Sequence, residues 1–435
     1  DGTAAAVLQA LVDLDTDPTN FDSTLTGTAI AVEISSIESA NGNGSIDGTN
    51  LTEISGSYSE IVQALEDLDT DPSNFNITIT EQAAIGEIAA LKGLTSGIVD
   101  YSSAGISDIV SNLVANSGSY VNGSVNVNVL DSASIDELKK IDGYSTGTLD
   151  YSDAGISDTV SNLIANTDGY VTGSIDVNVT DTASIAQLAS IDALTTGSIT
   201  YSAAGISDTA ANLDANTGDY VTGSIDVNVT DTASIAQLAS IDALTTGSVT
   251  YSSAGISDTA ANLVANTGGY ITGSIDVNVT DAASIAQLAS IDAKTSGSLD
   301  YFSAGIRDEA TVLAQNPNGY VNGDVDLTLL SDATIAQIGT IGASTTGDIK
   351  FSIAKSEVTD GFITIKNAAQ SIAQRIRQAD NFNTFAYNIS GDSQANTYKG
   401  GSKGDILSGA GNRDTLIGNS GEDLLIGGGG KDTLK

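Results

Sequence analysis

The residues best suited to chemistry lie between positions 391 and 435, where segments of nine residues follow one another without a gap. The segments begin at Gly391, Gly400, Gly409, Gly418 and Gly427. Their sixth positions hold Asn396, Asp405, Asp414, Asp423 and Asp432, and their eighth positions hold Tyr398, Leu407, Leu416, Leu425 and Leu434. One carboxylate or amide oxygen per segment, beside glycines that let backbone carbonyls converge in a tight turn, is the kind of ligand set that Ca2+ prefers.

The last segment, Gly427-Gly-Gly-Gly-Lys-Asp-Thr-Leu-Lys435, fits in full the nonapeptide G-G-x-G-x-D-x-U-x of calcium-binding β-helices. The earlier segments depart from it at one or more positions: the first has Gln394 and Asn396 in place of Gly and Asp, and the second has Lys403 where Gly is usual. Because stacked aspartates repel one another without a metal, folding of this segment is expected to depend on calcium. The predicted calcium ligands are Asn396, Asp405, Asp414, Asp423 and Asp432, together with Gly400, Gly409, Gly411, Gly418, Gly427 and Gly429.

These nonapeptides resemble those of the RTX family, the haemolysin-type calcium-binding proteins. The resemblance covers residues 391–435 and implies a parallel β-roll that is exported by a type I secretion system. Members of that family carry an uncleaved export signal at the C-terminus. The resemblance therefore implies that the natural chain continues past Lys435.

Upstream of the nonapeptides the chain repeats itself at a spacing of 50 residues. The segment that opens Tyr101-Ser-Ser-Ala-Gly-Ile-Ser-Asp has copies that begin at Tyr151, Tyr201 and Tyr251, and a more distant one at Tyr301. Residues 223–248 are identical to residues 173–198. Repeats of this length are typical of solenoids. The 50-residue repeats are similar to the repeats of large secreted cyanobacterial RTX proteins of the oscillin or surface-layer type. This resemblance implies a role at a cell surface.

Each repeat divides into two similar halves. In the first half Ile175, Val177 and Val179 alternate with polar residues, which predicts a strand with one buried face. Asp181 is then expected to cap a helix that places Ile185, Leu188 and Ile191 on one face. The second half predicts another short strand over 198–201 and a helix capped by Ser207.

The fold predicted from this pattern is an α/β repeat solenoid, with a parallel strand and a short helix in each unit of roughly 25 residues. An RTX parallel β-roll follows it. A coil of 50 residues with two sheets is the alternative. The predicted domains are degenerate N-terminal units (1–100), the tandem repeats (101–350), a junction with an amphipathic helix at 368–377 (351–390) and the calcium-binding roll (391–435).

The composition excludes several classes of function. The chain has no His and no Cys, which rules out a Ser-His-Asp triad, a thiol nucleophile and the usual zinc centres. A formal net charge of −40 argues against nucleic-acid binding, and no apolar run reaches the roughly 20 residues of a transmembrane helix. Any carboxylate pair in one repeat recurs in the next, whereas a catalytic pair is normally unique, so we do not expect an enzyme.

Two functions remain. The first is a secreted, extracellular structural protein that forms a surface layer, a sheath or a filament by homopolymerisation. The second is an adhesin whose polar strand faces bind a cell-surface polysaccharide, with Asp176, Asn178 and Thr180 and their copies as the binding rows.

Overall fold

The computed structural model describes residues 1–14, 20–331, 333–351, 362–368 and 386–435. The chain divides into two compact units, Asp1–Ile206 and Ser207–Lys435. The amphipathic helix predicted for 368–377 lies, beyond Ala368, outside the described residues.

The helices are short, and those of the repeats begin either soon after a strand, as Val160 follows Asp158, or a few residues later, as Ile185 follows Val179. In the first unit they are α1 (Ala4–Val12), α2 (Ala31–Asn41), α3 (Tyr58–Asp67), α4 (Ile85–Leu94), α5 (Val110–Ala115), α6 (Ile135–Asp142), α7 (Val160–Ala165) and α8 (Ile185–Asp192). In the second they are α9 (Ala210–Ala215), α10 (Ile235–Leu244), α11 (Ala260–Ala265), α12 (Ile285–Asp292), α13 (Ala310–Gln315) and α14 (Ile335–Ser344).

Most strands are shorter still, and every described pairing is parallel. Up to residue 208 they are β1 (Ser23–Ile30), β2 (Ile46–Gly56), β3 (Asn76–Ile79), β4 (Val99–Asp100), β5 (Ile106–Asp108), β6 (Val127–Val129), β7 (Leu149–Asp150), β8 (Ile156–Asp158), β9 (Val177–Val179), β10 (Ile199–Thr200) and β11 (Ile206–Asp208). The next are β12 (Val227–Val229), β13 (Val249–Thr250), β14 (Ile256–Asp258), β15 (Val277–Val279), β16 (Leu299–Asp300), β17 (Ile306–Asp308), β18 (Leu327–Leu329), β19 (Ile349–Phe351) and β20 (Phe362–Ala368). The C-terminal strands are β21 (Ala386–Gly391), β22 (Thr397–Lys399), β23 (Ile406–Ser408), β24 (Thr415–Ile417), β25 (Leu424–Ile426) and β26 (Thr433–Leu434).

Each 50-residue repeat contributes one three-stranded parallel sheet and two helices. In the repeat that begins at Tyr251, the sheet order is β14-β15-β16, and Ile256, Val277 and Leu299 lie side by side in register. The predicted repetition of parallel strands and helices is therefore confirmed. The two halves are less alike than predicted, because a turn at 301–305 separates β16 from β17 where the sequence pattern indicates one strand.

The predicted apolar positions form the core. Val177, Leu188 and Ile191 are buried, as are their copies in the later repeats. The first hundred residues follow the same plan in a less regular form, with the four-stranded parallel sheet β1-β2-β3-β4 beside α1 to α4.

The helix caps differ from those predicted. Helix α8 is capped by Ser184, whose side chain accepts a hydrogen bond from the Gln187 N–H, and α9 is capped in the same way by Thr209. Asp181 does not cap the helix that follows it. Its Oδ1 accepts a hydrogen bond of 2.6 Å from the N–H of Val160, the first residue of α7 in the adjacent coil.

A second set of aspartates also links neighbouring coils. Asp258 is 8% exposed, and its Oδ2 accepts a hydrogen bond of 3.0 Å from the N–H of Ile235, at the start of α10. Its Oδ1 accepts from the Thr259 N–H at 2.7 Å and from the Asn262 amide at 2.8 Å. Asp108 and Asp158 repeat this arrangement. We call these residues the coil-linking aspartates, and they explain why Ile-Ser-Asp recurs in the repeats.

The recurring tyrosines form edge-to-face pairs. The rings of Tyr151 and Tyr170 lie 6.2 Å apart, and the Tyr151 hydroxyl donates to the Tyr170 carbonyl. The Tyr170 hydroxyl donates to the Asp142 carboxylate at 3.3 Å. Burial, followed by the negative charge of Asp142, raises the pKa of Tyr170 to about 12. The tyrosine pair is therefore a packing element of the repeat.

Candidate metal site

The nonapeptides form two parallel sheets whose strands alternate along the chain. One sheet has the order β20-β21-β23-β25 and the other has the order β22-β24-β26. Each strand within the nonapeptides therefore pairs with the strand two segments away, as Leu407 does with Leu425 and Leu416 with Leu434. Of the eighth-position residues, Tyr398, Leu407 and Leu416 are almost fully buried, whereas Leu425 is half-buried and Leu434 is 49% exposed.

The sixth-position side chains form a ladder of hydrogen bonds along each edge of this region. The Oδ1 of Asp414 accepts from the Asn396 N–H at 2.8 Å, and the Oδ1 of Asp432 accepts from the Asp414 N–H at 2.9 Å. On the other edge, the Oδ1 of Asp423 accepts from the Asp405 N–H at 2.8 Å. Each aspartate thus uses one oxygen to bind the segment before it on the same edge.

The first glycine of each segment makes room for the second oxygen. A Cβ atom added to Gly409 would collide with Oδ2 of Asp414, and one added to Gly418 would collide with Oδ2 of Asp423. Gly400 and Gly427 stand in the same relation to Asp405 and Asp432. These predicted glycines are therefore needed because the carboxylate folds back against their own backbone.

The turns from the third segment onward share a pattern of positive φ angles. Their second and fourth residues have positive φ: Ala410 and Asn412, then Asn419 and Gly421, then Gly428 and Gly430. Positive φ in alternate residues curls a turn tightly, which is the role the sequence predicts for glycine. Gly411 and Gly429 form a parallel bridge between two of these turns.

One buried carboxylate oxygen among the described residues of this region has no hydrogen-bond partner. Asp414 is 1% exposed, and its Oδ2 makes no hydrogen bond within the described part of the chain. The other buried side-chain atoms without a partner there are Ser23 Oγ and Asn41 Nδ2, which belong to neutral groups. A buried carboxylate oxygen without a donor is costly unless a cation or a proton compensates it, so this position fits a bound metal ion.

The first two segments satisfy their sixth-position side chains differently. The Asn396 amide nitrogen donates to the Gln394 carbonyl at 2.7 Å and to the Asp392 carboxylate at 3.0 Å. The carboxylate of Asp405 accepts from the Tyr387 N–H through Oδ1 at 2.6 Å and from the Gly401 N–H through Oδ2 at 2.7 Å. The sequence analysis did not predict that the Gly401 N–H donates to Asp405. The signal that could have indicated a different turn is Lys403, which stands where glycine is usual.

The predicted ligands do not gather as a cluster of side chains. Among the described residues, no three Asp or Glu carboxylates converge so that they alone would hold a metal ion. A site here would therefore take most of its ligands from backbone carbonyls, with few carboxylates, as the nonapeptide pattern implies.

The outward strand positions of the repeats form a second polar array. The Asn278 amide donates to Ser257 Oγ at 2.8 Å, and Asn228 donates in the same way to Ser207. The Asp276 carboxylate accepts from the Ser298 N–H and hydroxyl, both at 2.7 Å, and these bonds lower its pKa. The rows predicted for an adhesin are thus exposed or half-exposed, and neighbouring side chains hold them in place.

No protein-family model matches the chain, and comparison with curated proteins and with solved structures also finds no match. None of the helices in the described ranges has the length and hydrophobicity needed to cross a bilayer.

Proposed function

We propose that the chain is a secreted, calcium-dependent structural protein of a cell surface, with RTX-type nonapeptides that bind calcium in a parallel β-roll. The unpartnered, buried Oδ2 of Asp414 carries the calcium part of this proposal. It lies in a segment that keeps the nine-residue register, beside turns whose backbone curls as a carbonyl cage requires.

Asp414 would contribute Oδ2 to the ion, because its Oδ1 is already bound to the Asn396 N–H. Asp423 and Asp432 stand in equivalent positions, with one oxygen in the ladder and the other against the first glycine of the segment. Bound calcium supplies positive charge that offsets the repulsion between these stacked carboxylates.

The structural role rests on the repeats. Their buried residues are mostly apolar side chains and coil-linking aspartates, which serve packing and capping, with a few other polar side chains such as Thr195, Asn216 and Thr245. The net charge of −40 means that two copies repel each other at short range, and salt screens only beyond about 8–10 Å. A divalent ion can bridge facing carboxylates, so calcium would favour association of this chain with itself.

Calcium binding and assembly are tested separately on the full chain. Isothermal titration with CaCl2 is expected to show saturable binding that MgCl2 at the same concentration does not reproduce. Sedimentation velocity at fixed ionic strength, with Ca2+ or Mg2+ as the single variable, is expected to show larger particles in calcium. A chain that binds calcium and stays monomeric in millimolar calcium at high protein concentration would contradict the structural role.

The alternative is an adhesin, and the hydrogen-bonded rows around Asp276 and Asn278 favour it because they present a fixed, periodic polar surface. Binding of the full chain to a glycan array would distinguish the two functions. If Asn278→Ala abolished retention on a polysaccharide, and the control Ala289→Ser on the helix side did not, the adhesin would become the preferred proposal.

A further inference from the structure

We infer that the turns of the roll are not equivalent, and that the turn at 400–405 does not take a calcium ion whereas the turn at 409–414 does. This inference rests on the proposed function, because it assumes that the roll binds calcium. It departs from the sequence prediction, which treats Asp405 and Asp414 as the same kind of ligand.

The first argument is the saturation of the Asp405 carboxylate. It is 1% exposed, like Asp414, yet both of its oxygens accept short backbone hydrogen bonds. The Tyr387 N–H lies 2.6 Å from Oδ1 and the Gly401 N–H lies 2.7 Å from Oδ2. In Asp414 the oxygen equivalent to the second of these is unpartnered. A cation at Asp405 would have to displace the Gly401 N–H, whereas a cation at Asp414 would bind an oxygen that has no hydrogen-bond donor.

The second argument is the backbone of the turn. Residues Gly401 and Lys403 are absent from the positions with positive φ, although the equivalent residues of the next turn, Ala410 and Asn412, have φ of 71° and 78°. An L-residue such as Lys resists positive φ more than Gly or Asn does. Lys403 therefore favours a different turn, and that turn directs the Gly401 N–H at the carboxylate.

The third argument concerns the carbonyl at the start of the same turn. The Gly400 carbonyl accepts a hydrogen bond of 2.6 Å from the side-chain amide of Asn419. Gly400 is one of the predicted carbonyl ligands, and a carbonyl that already accepts a short bond is less available to a metal ion. An amide donor and a backbone N–H thus occupy the places where a cation would be expected.

The inference has a consequence for the edge on which Asp405 lies. On this edge Asp423 follows Asp405, and the Asp423 carboxylate accepts a hydrogen bond from the Asp405 N–H. The Asp423 turn therefore stacks on a turn that holds no calcium ion. The other edge carries Asp414 and Asp432, and the buried oxygen without a hydrogen-bond donor, Oδ2 of Asp414, lies on it. Calcium is therefore expected to bind first on the edge of Asp414.

The test compares matched single variants of the full chain by isothermal titration with CaCl2. Asp414→Asn is expected to remove one bound calcium or to weaken that site at least about tenfold, the scale seen when even an indirect partner of a metal is lost. Asp405→Asn is expected to leave the number of bound ions unchanged. Glu422→Gln is the control, since it removes the same charge from an exposed side chain of the neighbouring turn.

A gain-of-binding variant tests the backbone argument. The exchange Lys403→Gly with Gly404→Lys restores the nonapeptide pattern of the second segment without a change in composition or charge. A Cβ atom at position 404 would lie 2.7 Å from the Glu422 carbonyl oxygen in the present turn, so the exchange also disfavours the existing conformation. We expect the variant to bind one calcium more than the parent chain.

The outcomes separate this inference from the proposed function. If the parent chain binds no calcium, the proposed function fails. If the parent binds calcium and Asp405→Asn loses as much of it as Asp414→Asn does, the inference alone is overturned. If circular dichroism shows that Asp405→Asn does not fold, the exchange at 403 and 404 decides. One additional bound calcium ion in that variant supports the inference, and an unchanged number of bound ions overturns it.

Discussion

Replacement of Asp258 by Ala is the most direct test of how adjacent coils are joined. The substitution removes an acceptor for three hydrogen bonds, of 3.0 Å from Ile235, 2.7 Å from Thr259 and 2.8 Å from the Asn262 side chain. The Asn262 amide lies on a helix and can turn to water, whereas the Ile235 N–H at the start of α10 stays buried and the Thr259 N–H at the start of α11 stays half-buried. The carboxylate is 8% exposed, so solvent does not replace it.

The magnitude follows from these bonds. A hydrogen bond to a charged group is worth about 1.5–3 kcal/mol, which gives about 3–6 kcal/mol for the two backbone donors. Removal of the desolvation cost of the carboxylate itself offsets part of this, and we expect a net loss of about 2–4 kcal/mol in local stability.

Native-state hydrogen exchange is the suitable assay, since a repeat array need not unfold in one step. The amide of Ile235 should exchange at least tenfold faster in Asp258→Ala. Asp276→Ala is the matched control, because it removes an aspartate of the same repeat whose carboxylate is exposed, and its effect should be much smaller. Equal exchange rates at Ile235 in both variants would refute the coil-linking role.

Two further predictions follow from the repeats. Burial and Asp142 raise the pKa of Tyr170 to about 12, above its unfolded value of 10.0, so its contribution to stability is complete below pH 10 and is lost as the pH rises towards 12. Phenolate absorbance should show that Tyr170 titrates at this high pH, and Asp142→Asn should lower the pH at which it titrates. Gly297→Ala should destabilise the chain by about 1–3 kcal/mol in urea denaturation, because the added Cβ would collide with the Ile275 carbonyl. Gly86→Ala, which adds a Cβ in open space on α4, should stabilise the chain by about 0.5–1 kcal/mol. A loss of stability in both variants would contradict this account.

The elements of the repeats could be predicted because their signals are local. Alternation at Val177 and Val179, followed by helical spacing at Ile185 and Leu188, determines the buried faces regardless of what lies next in space. The caps could not be predicted from the same segment. Asp181 has a side chain that suits an N-cap, but its partner is Val160 in the adjacent coil, and only the stacking of coils brings the two together.

The candidate site divides in the same way. The nine-residue register predicts which residues face inward and which glycines must lack a side chain, as Leu416 and Gly409 show. It does not predict that Gly401 donates to Asp405, because that bond depends on the φ angles that Lys403 imposes on one turn. Turns that look alike in sequence therefore differ in which oxygens remain without a donor.

The bonds between coils also bear on how such a chain changes during evolution. The coil-linking bonds reach across 21 to 23 residues, as in Asp181 to Val160 and Asp258 to Ile235, so each coil is recognised by its immediate neighbours. A duplicated block of 50 residues would bring both bonding partners in the correct order and could join the stack without disturbing other coils. The identity of residues 173–198 and 223–248 fits a duplication of this kind. The number of repeats can then vary between lineages while each interface is preserved.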